Sequence, residues 1–176
     1  MTVLPRLRDR IDANVRVLFV GINPGIRSAL IGHHFAGYSN RFWKLLYDSR
    51  LVPERIAAEG DGRLPEWGFG ITNLIARATP GIDSLSPDEY AVGLVILRRK
   101  VGRFRPAIVA FVGVSLFRAV FARRGAIRVG LQPEVFEGAR VFVLPNPSGR
   151  NANFSYDEML AAFRKLARLF GTRRRG

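Results

Sequence analysis

The chain reads as an α/β protein, a three-layer α/β/α sandwich around a central, mainly parallel sheet. Three observations predict this. Short apolar runs rich in β-branched and aromatic residues end abruptly in turn residues. Helix signals, two of them capping boxes, stand between those runs. Strands that alternate with helices give a parallel sheet covered on both faces.

The elements follow in order. Val15–Val20 is a buried strand ending at Gly21, and "NRFWKLLY", Asn40–Tyr47, opens an amphipathic helix. Ser86 and Glu89 form a capping box with Pro87 at the first helical position, predicting a helix towards Phe104. Pro106 stops it, and Ala107–Gly113 is a second buried strand. Val114–Arg124 is helical, with Gly125 as its expected cap. Arg140–Leu144 is a third strand, running into "PNPSGRN". Ser155 and Glu158 form another capping box, and the last helix is expected to end near Gly171, before a basic tail over 171–176. There are no repeats and no low-complexity linker, so residues 1–176 are expected to form one domain, and a monomer.

Composition narrows the function. The absence of cysteine excludes disulfides, thiolate catalysis, zinc–thiolate sites and iron–sulfur clusters. No apolar run approaches membrane-spanning length, and the first residues lack the apolar centre of a signal peptide. A soluble, cytoplasmic protein without a membrane partner is the expectation. Twenty-eight basic residues against fourteen acidic ones leave a net charge of +14, which attracts polyanions, nucleic acid first. Twenty-five of the 28 are arginine, a bias that base composition also produces.

In a doubly wound sheet the ligand crevice lies beyond the carboxyl ends of the strands. "GINPG" after the first strand and "NPSG" after a late one would both sit there, their amides converging on one ligand. "GINPG" lacks both the GxxxxGK[ST] lysine and the GxGxxG spacing, so no nucleotide cofactor is expected. His33 and His34 are adjacent, so their side chains diverge, and with no third ligand in view no metal is expected either. Asn before Pro also favours an ordinary turn.

Taken together, "GINPG", "GHHFAGYSNRFWKLL", "GITNLIARATPG", "FRPAIVAFVG" and "LPNPSG" resemble the mismatch-specific uracil/thymine–DNA glycosylase family, from about Val15 to Phe170. "GHHF" and "RATPG" look closer to its thymine branch. The resemblance implies an α/β/α fold, no cofactor or metal, and excision of uracil or thymine from mismatches with guanine in duplex DNA. Asn23 matches the catalytic asparagine, whose oxygen accepts a hydrogen bond and orients the attacking water. Gly21, Ile22 and Pro24 surround it in the implied base pocket. Phe35 matches the aromatic on which the flipped base stacks; otherwise it is one of thirteen phenylalanines filling the core.

His34 matches a pocket histidine that contacts the base or its leaving charge, or else caps backbone. Asn73 matches a position reading the pyrimidine edge, and Thr79 one whose hydroxyl helps hold the water; both residue types also bond their own loops. Asn146, Pro147, Ser148, Gly149 and Arg150 match the loop that enters the DNA minor groove. Ser148 would bind a phosphate flanking the lesion, unless it is only a turn serine. Arg150 stands where the enterobacterial branch carries a leucine wedge, and the thymine branch also has arginine there. A carboxylate such as Asp83 could supplement Asn23. Two other readings share part of the pattern: a non-catalytic nucleic-acid-binding module explains the charge without needing the loops, and a small-molecule hydrolase the reverse.

Overall fold

The computed structural model describes residues 3–171, so the basic tail lies outside the described residues save for Gly171. The described strands are β1 (Val17–Gly21), β2 (Phe69–Asn73), β3 (Ile108–Val112), β4 (Gly130–Phe136) and β5 (Ala139–Leu144). They form one sheet in the order β2-β1-β3-β5-β4. The first three and β5 run parallel, and only β4 runs against its neighbour. The helices are α1 (Ile26–Ile31), α2 (Phe42–Asp48), α3 (Pro87–Phe104), α4 (Val114–Phe121) and α5 (Tyr156–Gly171).

The period of two along each strand builds two cores. Phe19, Ile71, Ala110 and Phe142 face one way and pack with Phe42, Leu45, Met159 and Phe163 of α2 and α5. Leu18, Val109, Phe111 and Val141 face the other way, against Leu97 and Val101 of α3 and Phe117 of α4. The sheet therefore lies between two helical layers, as the sequence predicts.

Both capping boxes form. Ser86 Oγ accepts from the Glu89 amide and Glu89 returns a bond to the Ser86 amide, and Ser155 and Glu158 repeat the arrangement. Several features depart from the sequence reading, and helix α1 is one that it does not name. The first strand starts at Val17 rather than Val15. Helix α4 is closed not by Gly125 but by Ala122, left-handed at φ 49°, whose amide reaches back to Arg118. Strands β2 and β4 are additional. β4 joins β5 through Glu137 and Gly138 at φ 48° and 83°, the paired positive angles of a type I′ hairpin.

Because β1, β2, β3 and β5 are parallel, their carboxyl ends share one edge. The loops that follow them carry Asn23, Arg77, Gly113 and Asn146, and the chain needs no other device to bring these residues together. Among the described residues no helix is long and apolar enough to cross a membrane.

Candidate active site

A cleft of about 720 Å³ opens at this edge. Its wall includes Gly21, Ile22, Asn23 and Pro24 from the first loop, His34 and Phe35 from the second, and Asn73 and Thr79 from the third. Asn146, Ser148 and Arg150 close it from the far side. Pro147 and Gly149 lie in that same loop but outside the lining.

The Asn23 carboxamide is tightly held on its nitrogen side. Nδ2 donates to the Arg77 carbonyl at 2.9 Å and to Thr79 Oγ1 at 2.7 Å. Both amide protons are then used, and among the described residues no donor reaches Oδ1. Thr79, itself buried, passes its own proton to the Gly81 carbonyl at 2.6 Å. Its hydroxyl therefore orients the Asn23 amide and keeps one acceptor lone pair beyond that contact.

Asn73 ends β2 opposite Gly21 in the register of the two strands. A Cβ on Gly21 would stand 2.6 Å from Asn73 Oδ1 and 3.4 Å from the Phe35 ring tip. Only a residue without a side chain allows that approach. Among the described residues the Asn73 carboxamide has no side-chain partner, which leaves it available to a ligand.

Phe35 adopts φ 49°, uncommon for an aromatic residue. The strain is held on both sides: Trp43 Nε1 donates to the His34 carbonyl, and the Ala36 amide donates to Ser28 Oγ. One face of the ring stacks on Phe42 at 4.3 Å, and Phe42 is wedged edge-on among Phe19, Trp43 and Phe163. Phe35 is thus both a core contact and a wall of the cleft.

His34 is almost fully buried, and its Nε2 lies 2.7 Å from the Arg8 carbonyl. A carbonyl only accepts, so Nε2 carries the proton and is engaged with main chain. Burial lowers the imidazole pKa from its ordinary value, against the opposing pull of that carbonyl and of Asp61 and Asp9. The ring is neutral there. Asp61, buried and not singled out by any motif, ties the segment down. It accepts from Arg10 Nε, pairs with His33 Nδ1, and takes the His34 amide.

The rim is cationic and aromatic. Arg27 Nε donates to the Ala36 carbonyl, its guanidinium lies 3.9 Å from the Tyr38 ring centre, and Nη1 donates to the Tyr38 hydroxyl. Tyr38 is 90 % exposed, yet fixed in place by that contact. The neighbouring Ser39 touches Gly149, where an added Cβ would meet the Ser39 carbonyl at 2.7 Å. The Arg41 amide donates to the Pro147 carbonyl at 2.9 Å. The two loops therefore form one continuous edge carrying Arg27, Tyr38 and Arg150.

Within the last loop, Asn146 Oδ1 accepts from the Ser148 amide and Ser148 Oγ from the Arg150 amide. These bonds preshape the turn. Among the described residues no aspartate or glutamate lines the cleft. Asp83 is exposed and lies outside that lining. Among the described residues there is no group of three or more side chains able to hold a metal ion.

A model of the uracil DNA glycosylase superfamily matches residues 8–167, spanning every described strand and all of the cleft lining except Leu7. The chain belongs to the uracil DNA glycosylase superfamily. It is 38 % identical, over 162 residues, to the G/U mismatch-specific uracil DNA glycosylase of Schizosaccharomyces pombe. That match takes in 87 % of this chain, which spans about half (50 %) of the length of the yeast protein. The solution structure of a Methanosarcina acetivorans protein carrying a uracil DNA glycosylase name superposes with a TM-score of 0.62. It covers 94 % of this chain and 99 % of its own at 19 % identity, a likeness of fold.

Proposed function

We propose that this superfamily member is a DNA repair enzyme that flips uracil out of mismatched duplex DNA and hydrolyses its N-glycosidic bond. The observation that carries the reading is Asn23: both its amide protons are occupied, and among the described residues no donor claims its oxygen and no carboxylate lines the cleft.

A neutral amide is no useful base, but a fixed carbonyl oxygen accepts a hydrogen bond from the water and aims the water's lone pair at C1′. The C1′–N1 bond breaks with its electron pair passing to the base. The water oxygen bonds to C1′, and its proton leaves to solvent. Base release then depends on how well the departing anion is tolerated. A wall of amides and a cationic rim, without a carboxylate, suits a developing negative charge. Such a site favours bases that leave readily. Uracil fits this best, and thymine and modified pyrimidines are further substrates in the same chemistry.

Phe35 offers one ring face to the flipped base, with Phe42 bracing the other, and base–aromatic stacking contributes about 1–3 kcal/mol. The free Asn73 carboxamide provides both an acceptor and a donor, matching the N3–H and carbonyl edge of uracil. The edge formed by Arg27, Tyr38 and Arg150 faces the duplex.

The test is a cleavage assay on duplexes holding G·U, G·T and A·U, and on single-stranded uracil, read by alkaline strand scission. The wild-type protein is expected to cut the G·U strand. Asn23→Ala should bind that duplex with similar affinity and leave uracil in place. Near wild-type cleavage by Asn23→Ala would remove that residue from the mechanism. Tight binding with no scission on any substrate would make the protein a binding module instead.

A further inference from the structure

The loop that holds Asn23 is itself held from behind. The Arg77 carbonyl takes one proton of the Asn23 amide, while the Arg77 side chain runs to the start of α3. Its Nε donates to Glu89 Oε1 at 2.6 Å and its Nη2 to Glu89 Oε2 at 3.0 Å, a two-pronged fork. Nη2 also donates to the Ser84 carbonyl at 2.8 Å, fastening the loop to itself. Glu89 is at the same time the returning arm of the α3 capping box, 2.8 Å from the Ser86 amide. One carboxylate therefore joins an 18-residue helix to the residue on which the Asn23 amide hangs. Neither Arg77 nor Glu89 lines the cleft.

We propose that Arg77 and Glu89 are positioning residues for hydrolysis: a clamp that keeps the Arg77 carbonyl in place and so fixes the angle of the Asn23 carboxamide. The proposal rests on the reading that Asn23 aligns the water. Exposed ion pairs add little to stability, so the clamp's value lies in orientation. Displacement of a reacting group by about 1 Å costs up to about 100-fold in rate. The Arg77 guanidinium and the Ser86 amide hold the Glu89 carboxyl down to about 2, so the clamp stays charged at neutral pH.

Glu89→Gln separates the two duties of that side chain. Glutamine serves at the third position of a capping box as well as glutamate does, but it cannot form the charged fork. Three quantities decide the matter: the single-turnover rate on a G·U duplex, the Kd for a duplex holding an abasic-site analogue, and Tm. Glu89→Gln should lower the rate about 10-fold while Kd and Tm stay near wild type. Arg77→Lys should recover part of the loss seen in Arg77→Ala. The double variant Arg77→Ala with Glu89→Gln should be no slower than Arg77→Ala alone.

A wild type that excises uracil beside a Glu89→Gln of equal rate overturns the clamp alone. So does a rate loss that merely tracks falling Tm or weaker DNA binding. A wild type that leaves uracil in place overturns the functional reading, and the clamp with it.

Discussion

The carboxamide oxygen of Asn73 lies 2.6 Å from the point that a Cβ on Gly21 would occupy, across the paired ends of two parallel strands. Phe35 stands 3.4 Å from the same point, so the ring proposed to stack on the base and the amide proposed to read its edge share one contact. Gly21→Ala must push the Asn73 amide aside. That amide is the mobile end of a side chain, so the fold should survive with nearly unchanged Tm. Excision should fall about 10-fold or more through misplacement of Asn73. Gly93→Ala is the contrast, because its Cβ would meet the Leu74 carbonyl at 2.3 Å, where only main chain can yield. Thermal denaturation should show that variant destabilised by about 1–3 kcal/mol.

Thr79 connects Asn23 to the Gly81 carbonyl through one hydroxyl. Thr79→Val keeps the shape of the side chain and leaves both partners unpaired. The expected loss is about 10-fold in single-turnover rate, the equivalent of about one hydrogen bond. Thr79→Ser should restore most of it. A valine variant as fast as wild type would mean that the Arg77 carbonyl alone suffices to hold the amide.

How far the sequence reaches depends on the range of the contacts that make each feature. β1, β3 and β5 are legible because buried parallel strands are continuous apolar runs. β2 is not, because Gly70 interrupts it and Thr72 and Asn73 end it in polar residues. β4 is hidden by Pro133, which an edge strand tolerates beside its irregular register. The α4 cap goes to Ala122 because the amide bond back to Arg118 closes the helix three residues before the glycine arrives. The motifs point to Asn23, Phe35 and Asn73, and the fold brings all three to the cleft wall. Asp61, the Arg27–Tyr38 pair and the Arg77–Glu89 fork are not legible in the sequence, since each arises from residues brought together by folding.

His34 makes a prediction about pH. Burial lowers its pKa below 6.5, so the unfolded chain binds a proton that the folded chain resists. Stability is then full above about 6.5 and is lost as pH falls below it, towards the lowered folded value. One such group contributes a slope of at most about 1.4 kcal/mol per pH unit. Urea denaturation between pH 7.5 and 5.5 should show this slope in the wild type. His34→Gln should flatten it while lowering stability at neutral pH, where the bond to the Arg8 carbonyl is weakened. An unchanged slope in His34→Gln would remove His34 as the source of the acid sensitivity.

Arg150 makes the last prediction. Its side chain is exposed at the cleft mouth and lines the adjoining groove, and its amide is fixed on Ser148 Oγ at 3.2 Å. Among the described residues it has no ion-pair partner, so the guanidinium is free to meet DNA. An apolar side chain there would act only as a plug, whereas a guanidinium also stacks and donates to phosphate or base-edge acceptors. If Arg150 fills the space left by the flipped base, as proposed, Arg150→Ala should lower both affinity for G·U duplex and excision rate. Arg150→Leu should recover part of the rate but not the charge. Its log–log salt slope should be shallower by about 0.9, the share of one phosphate contact. If Arg150→Ala excises uracil as fast as wild type with the same salt slope, the space left by the flipped base is filled by another residue. The exposed Tyr38, clamped by Arg27 on the same edge, is then the next side chain to replace.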